Sequence, residues 1–298
     1  MRKTKDTTFV FMKKSKGEKI VHAFVFVFFA IYALTLLTPL FWLIQQSFHP
    51  VEGYLDGIGD EGYFAFPKVM EWGNYGKAFT VMEWEDTNMF GMLMNSLWFI
   101  VIANTWCIFW PVMVGYIFAK YSFVGKNFIH TVVIFTLTVP VVGATGAMIK
   151  IVTAMGLYDT GPLFVIVTGV GGFSSSFLIY YAIFKGLSWS YAESVFIDGG
   201  GDFRAFISVM LPMALPAISA MMVTGVISAW NTYEQFMYYL PSTPPVALGL
   251  YYLSERARRV GAPIYYAGLM MSCIPVLIIY ALMADKMMKN LTIGGLKG

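Results

Sequence analysis

The chain has 298 residues, of which 58% are hydrophobic and only 12% charged; its formal net charge is +3 and its mean hydropathy +0.66. A soluble domain carries roughly a quarter charged residues, so a water-soluble globular fold is excluded, and so small a net charge gives no support to nucleic-acid binding. Apolar runs at 20–44, 93–119, 128–149, 162–184, 207–230 and 263–283 each reach about the 20 residues that a helical crossing of a bilayer needs. They predict an all-α integral membrane fold with six transmembrane helices in one domain.

The chain opens on a basic tail, residues 1–19, with Arg2, Lys3, Lys5, Lys13, Lys14, Lys16 and Lys19. The first apolar run, 20–44, is too long for a signal peptide, and no small-residue cleavage site follows it before Gln45-Gln46. It therefore reads as a first transmembrane helix, with the tail as a topology determinant. Residues 45–92 form an acidic loop with Glu52, Asp56, Asp60, Glu61, Glu71, Glu83, Glu85 and Asp86. Five further helices are expected over 93–289, interrupted by a polar loop at about 186–206, before a tail at 290–298. Lys120 and Lys126 follow the second run, Lys185 and Arg204 the fourth, and Lys286, Lys289 and Lys297 the sixth. The positive-inside rule then places both termini and the 186–206 loop in the cytoplasm and the acidic loop outside. Arg256, Arg258 and Arg259 fall on the outer side against that trend.

No constellation for catalysis or metal binding is present in the sequence. Cys107 and Cys273 lie in separate apolar runs and make neither a disulfide framework nor a metal-ligand spacing. His22, His49 and His130 sit near three different run ends. Gly76-Lys77 and Gly125-Lys126 are followed by Ala78 and Asn127 rather than Ser or Thr, so there is no phosphate-binding Walker A loop. Any ATP used by this protein has to be bound by another chain.

The most informative stretch lies between the fourth and fifth runs. Tyr191, Glu193, Ser194, Phe196, Asp198 and the glycines Gly199, Gly200 and Gly201 are followed by Phe206, Leu211-Pro212 and Pro216. Ser188 is placed to cap a short helix, the glycines to end it, and Asp202 to cap the next. Glu193, Asp198, Gly199, Phe206, Leu211, Pro212 and Pro216 resemble, in type and spacing, the cytoplasmic EAA loop of type I ABC importer permeases. That loop reads Glu-Ala-Ala, three residues, Asp-Gly-Ala, then Phe and Leu-Pro with a last Pro four residues on. Ser194, Val195 and Gly200 stand here where the family has Ala.

Further motifs are similar to the carbohydrate-uptake branch of that family, closest to the six-span subunit with a Gly-rich, Lys-Gly tail. They are Asn95-Ser96-Leu97, Gly115-Tyr116 with Ala119-Lys120-Tyr121, Phe123 and Gly125-Lys126, Gly156-Leu157-Tyr158-Asp159-Thr160, Ala229-Trp230-Asn231, and the end of the chain from Asn290. The resemblance implies a permease of a bacterial inner membrane that imports a sugar or oligosaccharide. It implies as partners a second homologous permease, two ABC ATPase subunits that bind ATP and Mg, and an extracytoplasmic solute-binding protein. The short helix would dock in the ATPase, with Tyr191, Glu193, Ser194, Phe196, Asp198, Gly199 and Gly200 as coupling residues and Trp189, Tyr191 and Phe196 burying apolar area. Pro212 and Pro216 each remove a backbone donor from the fifth helix, which suits a hinge and a static kink equally. Polar and aromatic residues within the runs suit a sugar path, and Ser175, Tyr180, Asn231 and Tyr233 are candidates to touch it. The same residue types also hold helices together or form interfacial belts. An importer of amino acids, peptides or polyamines is the alternative cargo. A polytopic membrane enzyme is the remote one, since no convergent acids or histidines are found.

Overall fold

The computed structural model describes residues 16–54, 64–139 and 143–294, apart from the side chains of Lys16 and of residues 283–294. The basic residues from Arg2 to Lys14, the acids Asp56, Asp60 and Glu61, and Lys297 lie outside the described residues. In chain order the helices are α1 (Lys16–Ser47), α2 (Gly73–Val81), α3 (Met89–Lys120), α4 (Lys126–Thr138), α5 (Ala144–Ala154), α6 (Pro162–Thr168) and α7 (Ser175–Gly186). There follow α8 (Ser190–Ile197), α9 (Asp202–Ala205), a π-helical turn (Phe206–Met210), α10 (Leu211–Trp230), α11 (Glu234–Tyr239), α12 (Val246–Val260) and α13 (Ala262–Gly294). Every regular element among the described residues is helical; Trp84 and Thr87 add an isolated bridge.

Among the described residues, four helical stretches are long and apolar enough to cross a membrane: Gly17–Ser47, Met89–Lys120, Asp202–Trp230 and Ala262–Leu282. They correspond to the first, second, fifth and sixth expected runs. α1 leaves Phe24, Phe26 and Leu34 exposed on different faces and packs along α13, as a helix surrounded by lipid does. Its end is fastened to the acidic loop. Tyr54 donates its hydroxyl to Gln46 Oε1 at 2.7 Å, and Asn74 of α2 donates to the carbonyls of Ser47 and His49 at 2.9 and 2.8 Å.

The third and fourth expected runs do not form single helices. The third is divided into α4 and α5. α4 stops at Thr138 because Val139 precedes Pro140 and takes an extended conformation, and α5 restarts after Gly143 at φ +80°. The fourth is divided into α6 and α7 by Gly169–Ser174. That pair nevertheless runs parallel along α3. Trp106 donates its indole N–H to the Ile166 carbonyl at 2.8 Å, a side chain at Gly172 would strike Val114, and one at Gly115 would approach the Tyr181 backbone nitrogen to 3.0 Å. Small residues let the two backbones meet, so the irregular turn is covered by α3 as non-helical backbone at membrane depth must be.

α3 also sets the two ends of the molecule apart. Near its start, Asn95 donates to the Pro244 carbonyl at 3.0 Å and Ser96 Oγ accepts the Val246 N–H at 2.9 Å, holding the beginning of α12. At that end Asp159, at φ +56°, accepts from the Ser242 N–H and hydroxyl at 3.1 and 2.5 Å. The Asn-Ser and Gly-Leu-Tyr-Asp-Thr motifs are thus fasteners between loops. At the far end Lys120 donates to the Leu187 carbonyl, about 38 Å away at 1.5 Å per helical residue. That exceeds the ~30 Å of a hydrocarbon core, so α12 and the 186–206 loop lie on opposite sides of a membrane that α3 spans.

Candidate functional site

α8 has eight residues, and an isolated helix below ~12–15 residues is marginal in water. Its ends and its packing therefore decide whether it forms. Ser188 Oγ accepts the Ser190 N–H at 3.3 Å at the entrance. At the exit Gly199 adopts φ +76° and donates to Phe196 O at 3.0 Å, and Gly200 donates to Val195 O at 2.8 Å. These two bonds close the helix in a Schellman turn, for which a left-handed glycine is suited. Asp202 does not cap the next helix. It is the first residue of α9, after an extended Gly201, and its carboxylate is taken by Tyr121.

The two faces of α8 differ sharply. Ala192 and Val195 are buried in a cluster with Tyr116 of α3, Phe184 of α7, Phe206 and Met210 of the π turn, and Ala214 and Ile218 of α10. Tyr191, Glu193, Ser194, Ile197 and Asp198 form the exposed face with Gly199 beyond it, and Gly200 is half-buried against Val195. Two of the apolar residues expected at a partner surface are used internally instead. Trp189 and Phe196 pack on this same cluster, and Trp189 also meets Tyr121 edge-on at 5.7 Å. The apolar groups left free are Ile197, 85% exposed, Phe203, 68% exposed, and Tyr191. Ile197 and Phe203 carried no motif signal. The only cue was a large apolar side chain next to acid and glycine in a segment outside the spans.

Both feet of the loop are held by one pair of residues at the end of α3. Lys120 donates to Leu187 O before α8, and Tyr121 donates its hydroxyl to Asp202 Oδ1 at 2.7 Å after it. The Tyr116 hydroxyl lies 3.3 Å from that of Tyr121, and Lys126 Nζ donates to Tyr121 O at 2.9 Å. Burial, then the hydrogen bonds to Tyr116 and Asp202, raise the Tyr121 hydroxyl well above the ordinary tyrosine value. It stays protonated and donating at neutral pH.

The prolines lie just beyond a defect in the helix. Leu211 N–H bonds Phe206 O, five residues back, across the π turn. A proline ring clashes with the carbonyl four residues before it in an α-helix, and a widened turn is one way to relieve that clash. Pro212 comes after the turn with one residue, Leu211, between them, and Pro216 lies one helical turn further on within α10. The defect was not legible beforehand, because Leu-Pro predicts a break without saying how the backbone resolves it.

Of the candidate substrate residues, Tyr180 lines a cavity of about 330 Å³ between α3, α7 and α10, and the other three do not. Ser175 is exposed at the start of α7, and its neighbour Ser176 lines the cavity. Asn231 donates to the Ile227 carbonyl at 2.8 Å, and Tyr233 stacks on Tyr251 with ring centres 5.0 Å apart. Asn104, Thr224, Ser228 and Thr232 complete the polar lining.

Residues 111–289 match the protein family described as a binding-protein-dependent transport system inner membrane component. The chain belongs to that family. It is a membrane-embedded, multi-pass permease, a transport subunit rather than an enzyme, and its family works with a solute-binding protein and an ATPase. The matched region starts within α3 and contains the α8 loop, the π turn and the α7 and α10 walls of the cavity. The permease is 26% identical to the diacetylchitobiose uptake system permease protein NgcG of Streptomyces coelicolor, over 84% of this chain and 80% of that one. It is 28% identical to the arabinooligosaccharides transport system permease protein AraQ of Bacillus subtilis, over 91% and 94%. Its fold matches a chain of a bacterial ABC transporter involved in the import of the acidic polysaccharide alginate, with TM-score 0.70, 20% identity and coverage of 92% and 99%.

Proposed function

We propose that this permease forms half of the translocation pathway of an ATP-driven importer for a sugar or oligosaccharide. Its α8 loop docks on a separate ATPase. The observation that carries this reading is the continuity of α8 with the pore helix: its inner face shares one apolar cluster with the π turn and α10, while its outer face is free. A load on the outer face is then transmitted to α10 through close-packed side chains, which deform little. The sugar cargo rests on the uptake of diacetylchitobiose and arabinooligosaccharides by the two named relatives.

The proposed assembly is this chain, a second homologous permease, two ATPase subunits holding ATP and Mg, and an extracytoplasmic binding protein. α4 with α5 and α6 with α7 supply the third and fourth crossings, giving six, in a bacterial inner membrane with both termini cytoplasmic. Reconstitution tests the reading. The chain alone is expected to hydrolyse no ATP, and the full assembly with its binding protein to take up an oligosaccharide into vesicles as ATP is consumed. Robust ATP turnover by the isolated chain, or an assembly that transports no saccharide, would overturn it.

A further inference from the structure

Residues 64–72 of the acidic loop precede α2 and are not helical, yet they carry an apolar cluster. Phe64, Phe66, Val69, Met70 and Trp72 are each between 56% and 68% exposed. Single apolar side chains on a surface are ordinary, but a contiguous patch marks a contact with protein or membrane.

The end of α1 fixes where this patch sits. The Phe66 ring meets Phe41 edge-on, with ring centres 5.9 Å apart. Phe41 is itself 53% exposed and falls inside the apolar run 20–44. It precedes Ser47, the last residue of α1, by six positions, which is about 9 Å along a helix axis. The chain that leaves α1 therefore turns back and lays Phe66 beside a lipid-facing ring below the helix end. Trp72 packs against Phe48, just past the helix end, at 4.6 Å, the level at which indoles collect in membrane–water interfaces.

The backbone of the stretch is prepared for that depth. Gln45, which is buried, donates its amide to the carbonyls of Phe64, at 2.8 Å, and of Ala65. His49 Nε2 lies 3.1 Å from the same Ala65 carbonyl. The Glu71 N–H bonds Phe48 O at 2.9 Å, and Pro67 has no N–H to satisfy. Water would supply these bonds to a loop that stayed in it, whereas non-helical backbone near hydrocarbon needs them from protein. Lys68 is exposed, and a lysine can lay its methylenes on apolar surface while its ammonium stays in water.

We propose that residues 64–72 are a membrane anchor, a re-entrant segment whose apolar side chains enter lipid at the α1 end that α2 adjoins, in the outer leaflet by the orientation given above. Lipid is the occupant because the patch continues the exposed surface of α1 through Phe41 and Phe66. Its depth also matches the roughly 5–10 Å to which interfacial apolar faces sink. The anchor holds the end of α1 and, through the Asn74 bonds to Ser47 and His49, the start of α2 at a fixed height in the bilayer. It depends on α1 lying in the membrane and not on the cargo.

Nitroxide side chains test the depth. In the full assembly in lipid nanodiscs, with Cys107→Ala and Cys273→Ala in this chain, single labels are placed at Phe64→Cys and Val69→Cys. Glu52→Cys, exposed in the same loop, is the aqueous reference, and a doxyl-labelled phosphatidylcholine is the lipid reference. Power-saturation EPR compares collisions with oxygen, which concentrates in hydrocarbon, and with a nickel chelate, which stays in water. The oxygen-to-nickel ratio at 64 and 69 should exceed that at 52 several-fold and approach that of the lipid. Adding Phe66→Asp should lower the ratio at 69 several-fold. A ratio equal to that at 52 would place the stretch in water, and labels reached by neither reagent would place it under a second permease or a binding protein. Either result, or an unchanged ratio at 69 in Phe66→Asp, would overturn the anchor. Uptake of saccharide is measured separately, and its failure would remove the transport reading while leaving the anchor.

Discussion

Glu193 and Phe196 lie three residues apart on α8, yet they do different work. The Glu193 side chain is exposed and makes no hydrogen bond among the described residues, whereas Phe196 packs inward beside Trp189. Glu193→Ala is therefore expected to insert and assemble normally. Its cost falls on docking, on the order of 2–5 kcal/mol for one partner of a desolvated charge pair, read as reduced uptake at matched expression. Phe196→Ala should instead lower the melting temperature of the purified permease, because it opens space in a packed cluster. Ile197→Asp places a charge on the free apolar face and should abolish docking without changing that melting temperature. Gly199→Pro forces φ from +76° to about −65° and removes the bond to Phe196 O. It should unwind the end of α8 and stop uptake while the spans stay intact. Wild-type uptake by Glu193→Ala, Ile197→Asp and Gly199→Pro together would rule out α8 as the docking element.

At the scale of elements, the decisive feature is that α3 grips both ends of the α8 loop through Lys120 and Tyr121. Tyr121→Phe removes only a hydroxyl, and Asp202→Ala only its acceptor. Each should reduce the sugar transported per ATP hydrolysed, with the double variant no worse than either alone. Asp202→Asn keeps an acceptor oxygen and should restore much of the ratio. Asp202 is exposed, so the stability at stake is about 1 kcal/mol or less, and the melting temperature should hardly move. Additive losses in the double variant would show that the two residues act separately. The π turn belongs to the same scale, since it lies between α8 and α10, just before the prolines that lack backbone donors.

At the scale of the whole molecule, the loop and α12 stand at opposite ends of α3, so they face opposite sides of the membrane. Single-cysteine labels at Gly200 should react only from the cytoplasmic side, and labels at Ser254 only from outside. Labels at both termini should follow Gly200. The direction comes from the Lys and Arg distribution, and an outward-facing Gly200 would reverse the orientation and remove the docking reading with it.

Composition and the apolar runs were enough to establish an all-helical membrane chain, because only long apolar helices satisfy their own backbone in lipid. The spacing from Glu193 to Pro216 was enough to locate the α8 loop, because left-handed glycines and missing proline donors are backbone constraints written in single residues. The division of the third and fourth runs was not legible, since uniformly apolar sequence carries no helical period to show a break. Nor was the sorting of α8 into Phe196 inward and Ile197 outward, or the choice of Tyr180 over Ser175, Asn231 and Tyr233 at the cavity. Those depend on which helices pack beside α8 and α3, and that is decided by contacts between residues far apart in the chain, such as Tyr121 with Asp202 and Asn104 with Gly225.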